Sequence, residues 1–109
     1  MAGGIERGEI RLYRFPTPDK QRPVLVLTRA SALRHLSRVT VAPITSTVRG
    51  VPSEVALGPE DGMKVACAVN LHNVVTVAQA GMGRRLAQLG GSRMREVCAA
   101  LAFALGCEA

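Results

Sequence analysis

Aromatic side chains are scarce in this sequence: two Phe, one Tyr and no Trp among 109 residues. A core built on rings is excluded, and the 48% apolar fraction points to packing by Val, Leu and Ala. Cysteine is sparse as well. Cys67, Cys98 and Cys107 are odd in number and show neither CxxC spacing nor a Cys/His metal pattern, which sets aside a disulfide framework and a zinc module. Cys67 falls in an apolar strand and Cys98 on an apolar helix face, so both read as core fillers. No apolar run approaches the roughly 20 residues of a membrane-spanning helix. The opening Met1-Ala2-Gly3-Gly4, followed at once by charge, has no secretory-leader pattern, and a reducing cytoplasm is the expected compartment. Repeats and low-complexity segments are missing too.

Acids are the other shortage. Eight Asp and Glu against 14 Lys and Arg leave a net charge of +6. Residues 1–50 carry eight Arg and Lys20 against Glu6, Glu9 and Asp19, whereas residues 51–109 balance five cations with five acids. The whole excess lies on the first half. An anionic partner follows, most simply nucleic acid; the alternative is a basic protein with solvated arginines, and charge alone does not separate the two.

The length suits one domain, expected over residues 7–109 behind a flexible 1–6. Glu9 to Phe15 alternates polar and apolar, as a strand with one buried face does. Pro16, Pro18 and Asp19 make a loop. Val24–Thr28 reads as an apolar strand, Ala30–Leu36 as a helical turn or two, and Arg38–Pro43 as a third strand. A loop over Thr45–Pro52 precedes a short strand, Glu54–Leu57, and a turn at Gly58–Gly62. Lys64–Val69 and Leu71–Val77 complete the sheet, as one bent strand or two. Gly81-Met82-Gly83-Arg84-Arg85 is basic and glycine-rich but matches no phosphate-loop pattern; it reads as a turn into a short helical stretch over Arg84–Leu89. Ser92 is placed to cap a helix over Arg93–Leu105, and Gly106 to end it. Met94, Val97, Cys98, Leu101 and Leu105 share one face of that helix, yet Ala99, Ala102 and Phe103 make the other side apolar too. Either a partner subunit covers it or the helix sinks deep into its own barrel. Five or six short antiparallel strands with a terminal helix imply a mainly β fold with α, a small and partly open barrel.

Two strand edges carry the chemistry. Arg22 enters Arg22-Pro23-Val24-Leu25-Val26-Leu27, and Thr45 leaves Val41-Ala42-Pro43-Ile44-Thr45-Ser46. An antiparallel pairing centred on the Leu33-Arg34 connector sets Arg22 opposite Thr45. A guanidinium fork and a hydroxyl at one end of a sheet suit a phosphate, and Pro23 keeps Arg22 extended. The alternatives are a solvated strand-start arginine and a turn-capping hydroxyl. Two histidines compete for acid–base roles: His35 in the connector, where a surface position is expected, and His72 beside Asn73 ahead of the late strand.

Four segments in order then resemble one family. Arg7-Gly8-Glu9-Ile10, Gln21-Arg22-Pro23-Val24-Leu25-Val26, Ala42-Pro43-Ile44-Thr45-Ser46 and Gly50-Val51-Pro52-Ser53-Glu54-Val55 are similar in order and spacing to the MazF/PemK toxins, as is the late Val74-Val75-Thr76-Val77. The likeness runs from about Arg7 to Gly106. It implies an SH3-like, CcdB/MazF-like barrel that forms a homodimer in the cytoplasm. It also implies a type II toxin that cuts single-stranded RNA at short sequences without metal or cofactor, neutralised by the acidic tail of a cognate antitoxin. The family's catalytic arginine and threonine fall on Arg22 and Thr45. Its RNA-contacting loops fall on Phe15–Gln21, with Lys20 and Gln21, and on Ser46–Pro52, with Ser46, Thr47 and Arg49. His72 and Asn73 join the RNA-binding set where many relatives read Asp-Gln, so the acid that could orient the arginine is missing. No aromatic follows Phe15 in its loop to stack a base. Two further readings keep the fold but drop the cutting: a protein-directed toxin like the CcdB gyrase poisons, and an inactive barrel that binds RNA or antitoxin.

Overall fold

The computed structural model describes residues 4–16 and 21–107. Among them seven strands pair antiparallel throughout: β1 (Glu9–Arg14), β2 (Gln21–Val26), β3 (Arg38–Thr45), β4 (Glu54–Leu57), β5 (Cys67–Asn70), β6 (Val75–Ala78) and β7 (Met82–Gln88). The order is β4-β5-β3-β2-β1-β7, with β6 also on β3, so the sheet bends without closing. Two helices accompany it, α1 (Ala30–Leu33) and α2 (Gly91–Leu105). This is the expected partly open barrel with a closing helix, with seven strands where five or six were anticipated. No helix among the described residues is long and apolar enough to cross a membrane.

The apolar run of β2 explains the two-sided core. Val24, Leu25 and Val26 are all fully buried. Successive side chains point to opposite faces of a strand. Leu25 accordingly joins the larger core with Ile10, Ile44, Leu71, Met94 and Val97, while Val24 and Val26 join a second with Leu33, Val39, Val41 and Val77. Tyr13 and Phe15 close the second core edge to face, their rings 4.9 Å apart.

Several sequence expectations shift. Lys64, Val65 and Ala66 are exposed and precede β5, and a 3-10 turn over Leu71–Asn73 separates β5 from β6. The Arg84–Leu89 segment is not helical: Arg84–Gln88 lies in β7, against β1. Gly81, in the turn before β7, and Gly83, within it, serve close approach: a Cβ at Gly81 would stand 2.8 Å from the Tyr13 ring, and one at Gly83 would stand 3.1 Å from the Leu12 carbonyl oxygen. α2 starts at Gly91 with Gly90 before it, so Ser92 is not its cap, while Gly106 ends it at φ 74° as expected. Only Met94, Val97 and Ala100 of α2 are buried, so the helix rests on the sheet rather than sinking into it. Cys98, one residue off that stripe, is exposed and accepts from Arg7 Nη2 at 3.2 Å; it is no core filler. Leu105 likewise leaves the packed face.

Glu9 also departs from simple alternation, for its carboxylate is buried. Glu9 and Arg11 share a face of β1, and Arg85 sits opposite Arg11 on β7. Glu9 Oε1 accepts from Arg11 Nε at 2.7 Å and from the Glu6 amide at 3.0 Å, with Arg85 Nη1 3.6 Å from Oε2. Arg11 Nη1 donates onward to the Gly83 carbonyl at 2.8 Å, tying β1 to β7. Burial alone pushes the Glu9 carboxyl up, but the Arg11 hydrogen bond, the Glu6 amide and the charges of Arg11 and Arg85 outweigh it and hold the group below its ordinary range.

A carboxylate whose pKa is lower folded than unfolded contributes stability above its unfolded value and loses it as pH falls through the folded one. The urea midpoint is therefore expected to stay level from pH 7 to about 5 and to fall below about pH 4. Glu9→Gln should lower stability by about 2 kcal/mol at neutral pH and flatten that acid limb; an unchanged acid limb in the variant would assign the pH dependence elsewhere.

Candidate active-site cleft

β2 and β3 pair at Val26/Val41, Leu25/Ala42 and Val24/Pro43, then part. Continued, the same register would set Pro23 against Ile44 and Arg22 against Thr45, as the sequence predicts. Pro23 has no N–H to offer that next rung. β3 instead turns its other edge to β5, pairing Ile44 with Val69 and Thr45 with Ala68. A cleft of about 780 Å³ opens where the strands separate, and both Arg22 and Thr45 line it.

Each wall comes from a different element. The end of β2 supplies Gln21 and Arg22, and the end of β3 with its following turn supplies Thr45, Ser46 and Thr47. The far side holds Met63 and Lys64, together with Arg84 and Leu86 of β7. Thr45 Oγ1 accepts the Thr47 amide at 3.0 Å. The turn-capping reading is thus realised, and the hydroxyl keeps its own proton to donate. Arg22 is exposed, and neither it, Lys64 nor Arg84 has an ion-pair partner among the described residues. No carboxylate lines the cleft among the described residues. It is a cationic hollow with a hydroxyl at its edge.

The surroundings are braced by paired charge. Arg93, at the start of α2, grips Asp61 with Nε at 2.9 Å from Oδ1 and Nη2 at 3.0 Å from Oδ2, and the Gly58 amide donates to Oδ2 at 3.1 Å. The Arg93 hydrogen bonds hold the Asp61 carboxyl below its usual range despite its burial. That anchor fixes the Pro59–Asp61 turn from which the Met63–Lys64 wall departs. Cys67 touches the cleft, but burial first and the Asp61 charge second push its thiol up, so it stays protonated and is no nucleophile.

Not every candidate gathers here. Arg49 is exposed in the loop after β3 and does not line the cleft; its amide and that of Gly50 donate to Glu54 Oε1 at 2.9 and 3.0 Å. His72 and Asn73 lie in the 3-10 turn that packs beside α2, also outside the cleft lining. His72 Nδ1 is hydrogen-bonded to the buried Ser53 hydroxyl, and its amide donates to Asn70 Oδ1 at 3.1 Å. His35 is exposed in the connector, as expected. Lys20 lies outside the described residues. Lys64 and Arg84 were missed, although the spacing Arg84-Leu86 against Arg85 is the period of two that marks a strand with two distinct faces.

Comparison with known proteins identifies the family and the fold. The family model for PemK-like, MazF-like toxins of type II toxin-antitoxin systems matches residues 6–105. The Probable endoribonuclease MazF5 of Mycobacterium tuberculosis is 46% identical over 88 residues, covering 80% of this chain and 81% of that one. The Probable endoribonuclease MazF2 of the same species is 36% identical over 104 residues, 94% of this chain and all of its own length. Among solved structures, the Mycobacterium tuberculosis toxin MazF-mt6 superposes with a TM-score of 0.84 at 34% identity, over 93% of this chain and 99% of that one. An endoribonuclease in complex with its cognate antitoxin from a mycobacterial species gives 0.87 at 27% identity, over 97% and 99%. With its open sheet, closing helix and Arg22/Thr45 cleft, this chain belongs to the PemK-like, MazF-like toxin family of type II toxin-antitoxin systems.

Proposed function

We propose that this chain is an endoribonuclease toxin that cuts single-stranded RNA at short sequences, with Arg22 and Thr45 as its catalytic residues. The observation that carries the reading is the meeting of those two side chains on a cationic cleft where β2 and β3 part. In the reaction the substrate's 2′-hydroxyl attacks the adjacent phosphorus while the bond to the 5′-oxygen breaks. A 2′,3′-cyclic phosphate and a 5′-hydroxyl result, one proton leaving the 2′-oxygen and one arriving at the 5′-oxygen. As drawn, the step uses no metal. Charge gathers on the phosphoryl oxygens, where the Arg22 fork holds two and the Thr45 hydroxyl donates to another. Guanidinium groups stay protonated in proteins, so Arg22 stabilises charge rather than accepting a proton.

Recognition falls to the 15–21 segment, of which Gln21 lines the cleft, and to the 46–52 loop. Ser46 and Thr47 line the cleft, and Arg49 sits further along the second loop. The same cationic cleft suits the acidic tail of an antitoxin, and the solved mycobacterial relative with its antitoxin supports that partner. The exposed outer side of α2, with Phe103 50% and Leu105 62% accessible, fits a two-fold contact with a second copy. Residues 7–109 act as the toxin domain, in the cytoplasm where its RNA lies.

Three outcomes test this reading. Purified protein in chelator should cut mixed RNA into discrete fragments with cyclic phosphate ends, and Arg22→Ala or Thr45→Ala should each slow cutting about 10²-fold or more; intact RNA with retained growth arrest would favour a protein-directed toxin. Glu54→Ala should free the Arg49 and Gly50 amides, so that their hydrogen exchange quickens and the cut-site preference broadens while the fold melts as before. Sedimentation at micromolar concentration should give a dimer, and Phe103→Asp should shift it to monomer; a monomeric parent chain would remove the α2 contact.

A further inference from the structure

We propose that Lys64 and Arg84 form a second anion subsite that grips the backbone phosphate next to the one being cut. The inference rests on the nuclease reading for the identity of its ligand, but its geometry is independent. Strand alternation turns Arg85 toward Glu9 on one face of β7, which directs Arg84 and Leu86 to the other face, where both line the cleft. Lys64 reaches the same wall from the segment after the Asp61 anchor.

The local carboxylates are already taken. Glu9 is held by Arg11 and Arg85, and Asp61 by Arg93, so these acids do not neutralise the two cations in the cleft. Cations from separate elements, without ion-pair partners among the described residues and facing a carboxylate-free wall, make a site that an external anion can occupy. One phosphate does not satisfy them all. β1 lies between β2 and β7, which puts the Arg22 and Arg84 backbones two strand spacings apart, roughly 10 Å. Arg22 and Thr45 suffice for the oxygens of the scissile group. A single strand threading the cleft presents its next phosphate to the far wall. The apolar wall is aliphatic, with Leu12, Met63 and Leu86 and no aromatic among the described lining residues, so ring stacking adds no grip and phosphate contacts dominate.

The test is the salt dependence of binding to a mixed-sequence 2′-O-methyl RNA, which the enzyme cannot cut because the attacking hydroxyl is blocked. Each lost phosphate contact lowers the slope of log affinity against log salt by about 0.7 for a single strand. Lys64→Gln and Arg84→Gln should each lose about that much, and the double variant about twice it. Arg95→Gln, on an exposed α2 cation outside the cleft, should lose none. Both cleft residues are exposed, so folding should survive, and melting curves would verify it. Cutting of ordinary RNA by the parent chain separates the two claims. If the parent cuts RNA while the slopes of the two cleft variants match it, the subsite is overturned alone. A parent chain that neither binds nor cuts RNA overturns the nuclease reading and the subsite together.

Discussion

β3 changes partners halfway along its length, and the cleft exists because it does. Arg38–Val41 pair with β6 on one edge and Val41–Pro43 with β2 on the other, and the last two residues pair with β5. Two prolines sit where the change occurs. Pro43 occupies the last rung with β2 but turns its nitrogen to the opposite edge, whereas Pro23 would occupy the next rung and lacks the N–H that would continue the ladder there. The strands part in register, so the residues beyond the break still face one another across open space. Arg22 and Thr45 stand on the two lips of a gap that the sheet itself positions. The gap comes from the sheet's own pairing, and the two side chains sit on strand ends, which hold position better than loop tips.

Charge is divided by task rather than by half of the chain. Counting along the sequence places the whole excess in residues 1–50. In three dimensions Arg11 from that half is committed to Glu9, whereas Lys64 and Arg84 from the neutral half line the cleft with no ion-pair partner among the described residues. The cations that brace the fold, Arg11 and Arg93, each meet a nearly buried carboxylate, and those carboxylates are held ionised. Such pairs fix the β1–β7 edge and the Pro59–Asp61 turn, which in turn aim Arg84 and Lys64. Net charge predicted an anionic partner, but only the pairing pattern locates where that partner would lie.

Much of this was legible in the sequence, and the parts that were not share a cause. The register of β2 and β3 followed from two apolar runs about one connector, and Gly106 followed from the end of a periodic stretch. Those signals are local. The stretch from Gly81 to Arg85 misled because glycine next to arginine reads as a turn, whereas here the glycines admit the Tyr13 ring and the Leu12 carbonyl of another strand. Cys98 misled because the helix stripe through Met94, Val97 and Ala100 is narrower than its composition suggests. Glu9 misled because a carboxylate in an alternating strand is read as solvent-facing until Arg11 and Arg85 are known to share its face. Each error concerns a residue whose environment is set by a distant element.

Thr45 shows how a structural and a chemical role coincide. Its hydroxyl oxygen accepts the Thr47 amide, and that bond both ends β3 and restricts the rotor. With one lone pair engaged, the hydroxyl proton is biased away from the turn and is available to the cleft that Thr45 lines. A donor oriented before substrate arrives loses less on reaching the charged transition state than one that must reorient. The turn cap is therefore part of what would make Thr45 an effective partner for Arg22 in the proposed reaction. A serine in its place would keep the acceptor, but it would lose the β-branching that narrows the choice of rotamer.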